Sequence, residues 1–194
     1  MRKDDTGLKT AIQNAATGTS RKNGRPILIF CSTADEGEYS GAVYPADYPE
    51  VIRVSATDKY GHRMTTAQAD EVNVLVPGDD FESDAPSYIH ESGEKRSIPR
   101  VSGSSVATAL AAGIASLALV LLRIFNGAEE PAIELFQEKE KMLRVFKKMQ
   151  STNATTGVLL SKLFPPTLIE LREKWNMTEF LTETEIREAP KKST

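Results

Sequence analysis

The sequence predicts an α/β layered domain with a mostly parallel sheet, followed by a helical carboxyl-terminal extension. Three observations predict it. Residues 27–31 are continuously apolar and are bounded by Pro26 and polar residues, which is typical of a strand covered on both faces. Strand-like segments alternate with helix-like ones. A long uncharged run at 106–122 has the composition of a buried helix.

The first predicted element is a short helix. Leu8, Ile12 and Ala15 recur at helical spacing, and Gly18 can end the helix. Asp-Thr-Gly at 5–7 we interpret as its amino-terminal cap.

Further strands are predicted downstream of the run at 27–31. They lie at 51–56 and 72–76, the second closed by Pro77 and Gly78. Residues 87–89 and 99–102 flank a polar insert and are predicted to be the arms of a hairpin.

The run at 106–122 has two possible environments. A membrane span needs about 20 apolar residues, whereas this run has seventeen and ends at Arg123. Thr108, Gly113, Ser116 and many alanines suit close packing against protein. We therefore predict a buried core helix, with a transmembrane or interfacial helix as the alternatives.

Composition changes near Gly127, so we divide the chain into residues 1–127 and a helical extension, 128–194. In the extension an apolar stripe lies between Glu134 and Lys148, and a second amphipathic stretch covers 168–175. Such stripes are usually faces that dock on a core. We assign the extension no chemistry.

Charge and cysteine content exclude several functions. The chain has 24 Lys+Arg against 27 Asp+Glu and no basic block, so we expect neither a nucleic-acid nor a membrane partner. One cysteine and two histidines exclude a disulfide framework and a Cys- or His-rich metal cage. The first twenty residues lack the apolar stretch of a secretory signal, which slightly favours the cytoplasm.

Gly-Ser-Ser-Val-Ala-Thr at 103–108 is the sharpest local feature. It joins a strand-like arm to a helix, where free backbone N–H groups would stabilise an oxyanion. Taken by itself, a serine at the start of a helix is usually just an amino-terminal cap. The stretch resembles the active-site serine motif of subtilisin-like serine proteases (subtilases), usually written G-T-S-M-A-[ST]-P. This resemblance places the nucleophile at Ser105.

Three more segments resemble the same family, in its order and spacing. Ala-Asp-Glu-Gly at 34–37 follows a strand, residues 44–58 are similar to Y-P-A-x-Y-P-x-V-I-x-V-x-A-x-D, and residues 72–78 end in Val-Pro-Gly where the family has A-P-G. Together they cover about residues 8–125. The resemblance implies the carboxyl-terminal half of a subtilase catalytic domain, hence a partial three-layer αβα fold.

The resemblance also assigns site residues. Asp35 falls where most subtilases have the asparagine of the oxyanion hole, and an ionised carboxylate cannot donate a hydrogen bond. The alternative is that Asp35 is only a turn residue. Ser32, Thr33 and Ala34 match one wall of the pocket for the residue before the scissile bond.

The catalytic Asp and His motifs of the family, D-[ST]-G and H-G-T-H, precede the serine, and neither occurs in this sequence as part of that pattern. His62 and His90 fall where the family has surface loops, so we interpret both as solvated. A serine without its general base is a poor nucleophile.

We therefore expect a serine endopeptidase fragment that is inactive alone, with a polypeptide as substrate if it is part of a complete enzyme. The alternatives are a catalytically dead remnant that binds a partner and, with less support, a membrane-associated protein. No cofactor is expected. Subtilases often bind Ca²⁺, but no acidic loop here identifies ligands. Half a sheet would expose a strand edge, so self-association is also expected.

Overall fold

The computed structural model describes residues 5–19, 22, 24–35, 42–64, 72–82, 100–126, 134–150 and 175. Its elements follow one another along the chain in this order: α1 (Thr6–Thr17), β1 (Phe30–Ser32), β2 (Ile52–Thr57), β3 (Val74–Pro77), β4 (Phe81–Glu82), β5 (Arg100–Val101), α2 (Ser104–Asn126), a 3₁₀ turn (Leu135–Gln137) and α3 (Lys139–Met149).

The central sheet is parallel, with strand order β1-β2-β3. Phe30 is paired with Ile52, and Val54 with Val74. All six residues of β2 are buried, because this strand lies between its two neighbours. The predicted α/β fold with a parallel sheet is confirmed.

β1 differs from its prediction. It begins at Phe30, three residues later than the predicted start, and its residues are half-buried. The backbone N–H of Ile27 donates to the carbonyl of Ala15 at the end of α1 instead of to a strand. Among the described residues β1 pairs on one side only, which explains its lower burial.

β4 and β5 form a separate antiparallel pair, with Phe81 opposite Val101. The second predicted hairpin arm therefore contains a strand, and its described partner is β4. The first predicted arm, at 87–89, and the insert with His90 lie outside the described residues.

α2 packs on one face of the sheet through small and branched side chains. The α2 side chains that are buried in the core with the strand residues include Ala107, Ala111, Ile114, Ala115, Ala118 and Leu122. By length and composition alone, Ser104–Phe125 could also cross a membrane, with a mean hydropathy of 2.2. Core helices of soluble proteins meet the same criterion.

α1 packs on the other face. Ile12 clusters with Tyr48 and Val51, and Ile29 and Cys31 pack against them, whereas Phe30 packs with the α2 side. This alternation along β1 separates two faces of the sheet. The result is three layers: α1, the sheet, and a second helical layer.

The 3₁₀ turn and α3 share the core with α2. Five of their side chains are almost completely buried there: Phe136, Met142, Val145, Phe146 and Met149. The Phe146 ring meets Phe30 edge to face at 6.1 Å, and Arg25 pairs with Glu134 at 2.7 Å. Of the predicted stretch 168–175 only Trp175 is described, buried in this core. The division at residue 127 stays a prediction.

Candidate active site

Three chain segments meet at the carboxyl ends of the parallel strands. β1 ends at Ser32 and leads to Asp35, β3 ends at Pro77 and leads to Gly78, and α2 begins at Ser104. The backbone N–H of Gly103 donates to the Gly78 carbonyl at 2.7 Å. This contact brings the amino terminus of α2 against the end of β3.

Two glycines allow this close approach. A Cβ atom on Gly78 would lie 2.7 Å from the Ala56 Cβ and 2.8 Å from the Gly103 carbonyl oxygen. Gly103 has φ of +134°, and a Cβ atom there would lie 2.8 Å from Asp35 Oδ2. Any larger residue would push α2 away from the strand ends.

Ser105 is the second residue of α2 and is exposed to solvent. Backbone N–H groups in the first turn of a helix lack intrahelical acceptors, so this end of α2 favours negative charge. Within the described ranges, no side chain forms a hydrogen bond with Ser105 Oγ.

Ser104, beside it, is fully buried and linked to two segments. Its backbone N–H donates to both oxygens of Asp35, at 2.9 and 3.1 Å, and its hydroxyl donates to Asp35 Oδ1 at 2.5 Å. Its Oγ also lies 3.2 Å from Thr33 Oγ1. Asp35 therefore accepts hydrogen bonds from the first residue of α2, as a helix cap does.

Ser104 is not among the site residues predicted from the sequence. It lies where the motif G-T-S-M-A-[ST]-P has threonine. The sequence signal that could have identified Ser104 was a hydroxyl at the start of a helix, together with a possible acceptor at position 35.

The three predicted pocket residues differ in exposure. Ser32 and Ala34 are half-buried, whereas Thr33 is buried and directs its hydroxyl toward Ser104. The backbone N–H of Thr33 also continues the pairing with β2, donating to the Val54 carbonyl. The Thr33 side chain thus contacts the amino terminus of α2. The substrate-binding role of all three stays a prediction.

His62 lies in the turn after β2, with its side chain 69% exposed and Nδ1 3.6 Å from Asp58 Oδ2. Asp58 Oδ1 accepts the backbone N–H groups of Tyr60 and His62 at 2.8 and 2.9 Å. Burial acts to raise the pKa of Asp58, but these hydrogen bonds and the neighbouring imidazole outweigh it and lower the pKa below 3.8. In the part of the chain that is described, no histidine contacts Ser105.

Metal ligands are not gathered in the described ranges. No three His, Cys, Asp or Glu side chains there lie close enough together to hold an ion.

Ser105 is thus exposed at the start of α2, beside the carboxyl ends of the parallel strands. The profile of the subtilase family matches residues 2–155. The chain belongs to the subtilase family. No curated protein matches it significantly.

Solved protease structures share the fold. The prenylagaramide maturation protease PagA has a TM-score of 0.56 at 22% identity, covering 90% of this chain and 57% of PagA. The self-cleaved protease domain of PatA has a TM-score of 0.59 at 20% identity, covering 90% of this chain and 58% of that domain. This chain thus spans less than two thirds of the structures it matches.

Proposed function

We propose that this chain supplies the nucleophile and the helix-terminus part of the oxyanion site of a subtilisin-like serine endopeptidase, and that it is inactive alone. The observation that carries the proposal is the placement of Ser105: exposed, at the positive end of α2, beside a residue held by Asp35. Membership in a protease family makes a polypeptide the expected substrate.

In the proposed reaction, Ser105 Oγ attacks the carbonyl carbon of a peptide bond while a general base removes its proton. The carbonyl oxygen becomes an oxyanion, stabilised by backbone N–H groups at the start of α2. The base then passes the proton to the leaving amine, and water hydrolyses the acyl-enzyme by the same route. The base must come from outside the described residues, because none of these reaches Ser105 Oγ.

Asp35 limits the rate in this proposal. Its carboxylate accepts hydrogen bonds from Ser104 and, when ionised, donates none. In subtilisin itself, loss of the equivalent side-chain donor reduces the rate by about 100- to 1,000-fold. A completed domain with Asp35 should therefore be slow, and Asp35→Asn should raise its kcat.

The test is hydrolysis of a fluorogenic protein substrate by this chain joined to a subtilase segment that carries the Asp and His motifs. Ser105→Ala should abolish hydrolysis, whereas Ser116→Ala, at an exposed serine further along α2, should not change it. Hydrolysis that survives Ser105→Ala would refute the proposed nucleophile.

A second function is a catalytically dead binding module. One observation favours it: a carboxylate lies at the helix terminus where an oxyanion would need donors. The same experiment separates the two functions, because a dead module stays inactive after the Asp and His motifs are supplied and after Asp35→Asn.

A further inference from the structure

The turn after β2 has a backbone that its own hydrogen bonds hold in place. Asp58 Oδ1 accepts the backbone N–H groups of Tyr60 and His62. The backbone N–H of Asp58 donates to the His62 carbonyl at 2.8 Å. Gly61 takes the left-handed conformation that the turn requires, with φ of +86°. The turn is therefore formed before any partner binds to it.

Aromatic and basic side chains cover the outside of this turn. Tyr60 is 70% exposed, and the Nζ of Lys59 lies 5.2 Å from the centroid of its ring, within the range of a cation–π interaction. The His62 ring lies 6.4 Å from the Tyr60 ring. His62 and Arg63 are exposed as well. We call Lys59, Tyr60, His62 and Arg63 the 59–63 patch.

The 59–63 patch lies at the same edge of the sheet as Ser105. The Val54 carbonyl accepts a hydrogen bond from the backbone N–H of Thr33, at the end of β1. The Ala56 carbonyl, two residues further along on the same side of β2, accepts one from Met64 at 3.1 Å. The returning arm of the turn therefore takes the place beside β2 that β1 leaves after Thr33.

The other side of β2 leads directly to the proposed nucleophile. The backbone N–H of Gly78 donates to the Thr57 carbonyl at 3.0 Å, and the Gly78 carbonyl accepts from Gly103 at 2.7 Å. Neighbouring strands lie about 4.8 Å apart, and an extended peptide advances about 3.3 Å per residue. A polypeptide bound at Ser105 therefore reaches the turn within a few residues.

We propose that the 59–63 patch is an exosite that binds an acidic segment of the polypeptide substrate, a few residues from the bond that is cut. This proposal rests on the proposed function. Lys59, His62 and Arg63 supply positive charge for carboxylates, and Tyr60 supplies a ring for an apolar neighbour. Because the turn is already formed, binding costs little ordering of the chain.

Other partners match the patch less well. Nucleic acids and anionic membranes are bound through larger clusters of basic residues, whereas this turn has Lys59, His62 and Arg63. A second copy of the chain would present the same basic surface, and like charges repel. The whole chain carries a net charge of −3, so a basic patch beside the site attracts acidic residues to that place in particular.

Fluorescence anisotropy tests the exosite on the isolated chain, where no catalysis is needed. The probe is a fluorescein-labelled peptide in which Glu and Phe alternate, and the control is the same peptide with Lys in place of Glu. The acidic peptide should bind and the Lys peptide should not. Added NaCl should weaken the binding, because salt screens exposed charges.

Variants of the turn identify the contact. Lys59→Glu should weaken binding of the acidic peptide about tenfold, because one attraction is lost and one repulsion is added. Tyr60→Ala should weaken it about two- to fivefold, whereas Tyr60→Phe, which keeps the ring, should not. Lys147→Glu, at an exposed position on α3, is the matched charge control and should bind as the parent chain does.

Several results would overturn the proposal. Absence of binding to the acidic peptide would refute the exosite, as would equal binding by Lys59→Glu, Lys147→Glu and the parent chain. Tighter binding to phosphatidylserine vesicles than to the peptide, lost in Lys59→Glu, would assign the patch to a membrane instead. Melting temperatures of the variants should equal that of the parent chain, because these side chains are exposed.

The proposed function fails separately. In the fusion that carries the Asp and His motifs, Lys59→Glu should raise KM for a substrate with an acidic segment and leave kcat unchanged. Peptide binding that depends on the turn, without labelling of Ser105 by a fluorophosphonate, would retain the acidic-peptide site and refute the enzyme. Labelling of Ser105 with a KM that Lys59→Glu does not change would refute the exosite alone.

Discussion

Asp35 and Ser104 join the end of β1 to the start of α2 through three hydrogen bonds, the shortest being 2.5 Å between Ser104 Oγ and Asp35 Oδ1. The pair fixes the residue immediately before the proposed nucleophile. Asp35 thus positions Ser105 through its neighbour.

Asp35→Ala should lower the free energy of unfolding by about 0.5–2 kcal/mol, because α2 loses its capping acceptor. Asp35→Asn should lower it less, since an amide oxygen still accepts one hydrogen bond. Urea unfolding of Asp35→Ala, Ser104→Ala and the double variant measures the coupling between them. Purely additive effects would contradict the contact.

Alanine substitutions at Gly78 and at Gly113 should change the free energy of unfolding in opposite directions. At Gly78 the new Cβ atom would meet Ala56 and Gly103 at less than 3 Å, so we expect a loss of about 1–3 kcal/mol. At Gly113, exposed within α2, a Cβ atom meets nothing within 4 Å, and alanine should add about 0.5–1 kcal/mol through helix propensity. Thermal melts of both variants check the prediction. Changes in melting temperature of the same sign would contradict it.

Phe146 should be essential to the fold although it lies beyond residue 127. It is 1% exposed and packs on Phe30, so Phe146→Ala should reduce stability by about 3–5 kcal/mol. Lys147→Ala, at an exposed neighbour, is the control. Residues 1–127 expressed alone should lose cooperative unfolding, and a cooperative melt would support the division at 127.

Lys139 should make stability depend on alkaline pH. Burial lowers its pKa below the usual 10.5, while its Nζ donates to the carbonyls of Pro49 and Val51 at 2.7 and 2.8 Å. Between the lowered pKa and 10.5 the unfolded chain binds more protons, so this residue makes stability rise with pH.

The measurement is urea unfolding across that range. Lys139→Gln should remove the rise, whereas Lys147→Gln should keep it. Identical pH slopes for Lys139→Gln and the parent chain would contradict the burial of this ammonium group.

The main elements could be predicted from local patterns. The strand predicted at 51–56 and the helix predicted at 106–122 correspond to β2 and α2, and Asp5 caps α1 with hydrogen bonds of 2.8 and 3.1 Å. The start of β1 was predicted too early, because Ile27 bonds to the end of α1 and no apolar pattern reveals that competition.

The site could be predicted only in outline. The motif around Ser105 and the order of segments identify the family, but the Asp35–Ser104 contact joins residues 69 positions apart. Their hydrogen bonds form because the carboxyl ends of the strands lie next to the start of α2. The local sequence around either residue does not predict this contact.

The central proposal is that Ser105 is a nucleophile whose general base this chain does not supply by itself. Intact-mass analysis of the 194-residue chain after treatment with a fluorophosphonate tests it most directly. We predict no adduct. Stoichiometric modification that disappears in Ser105→Ala would show that the chain already holds a working base, and would contradict this account.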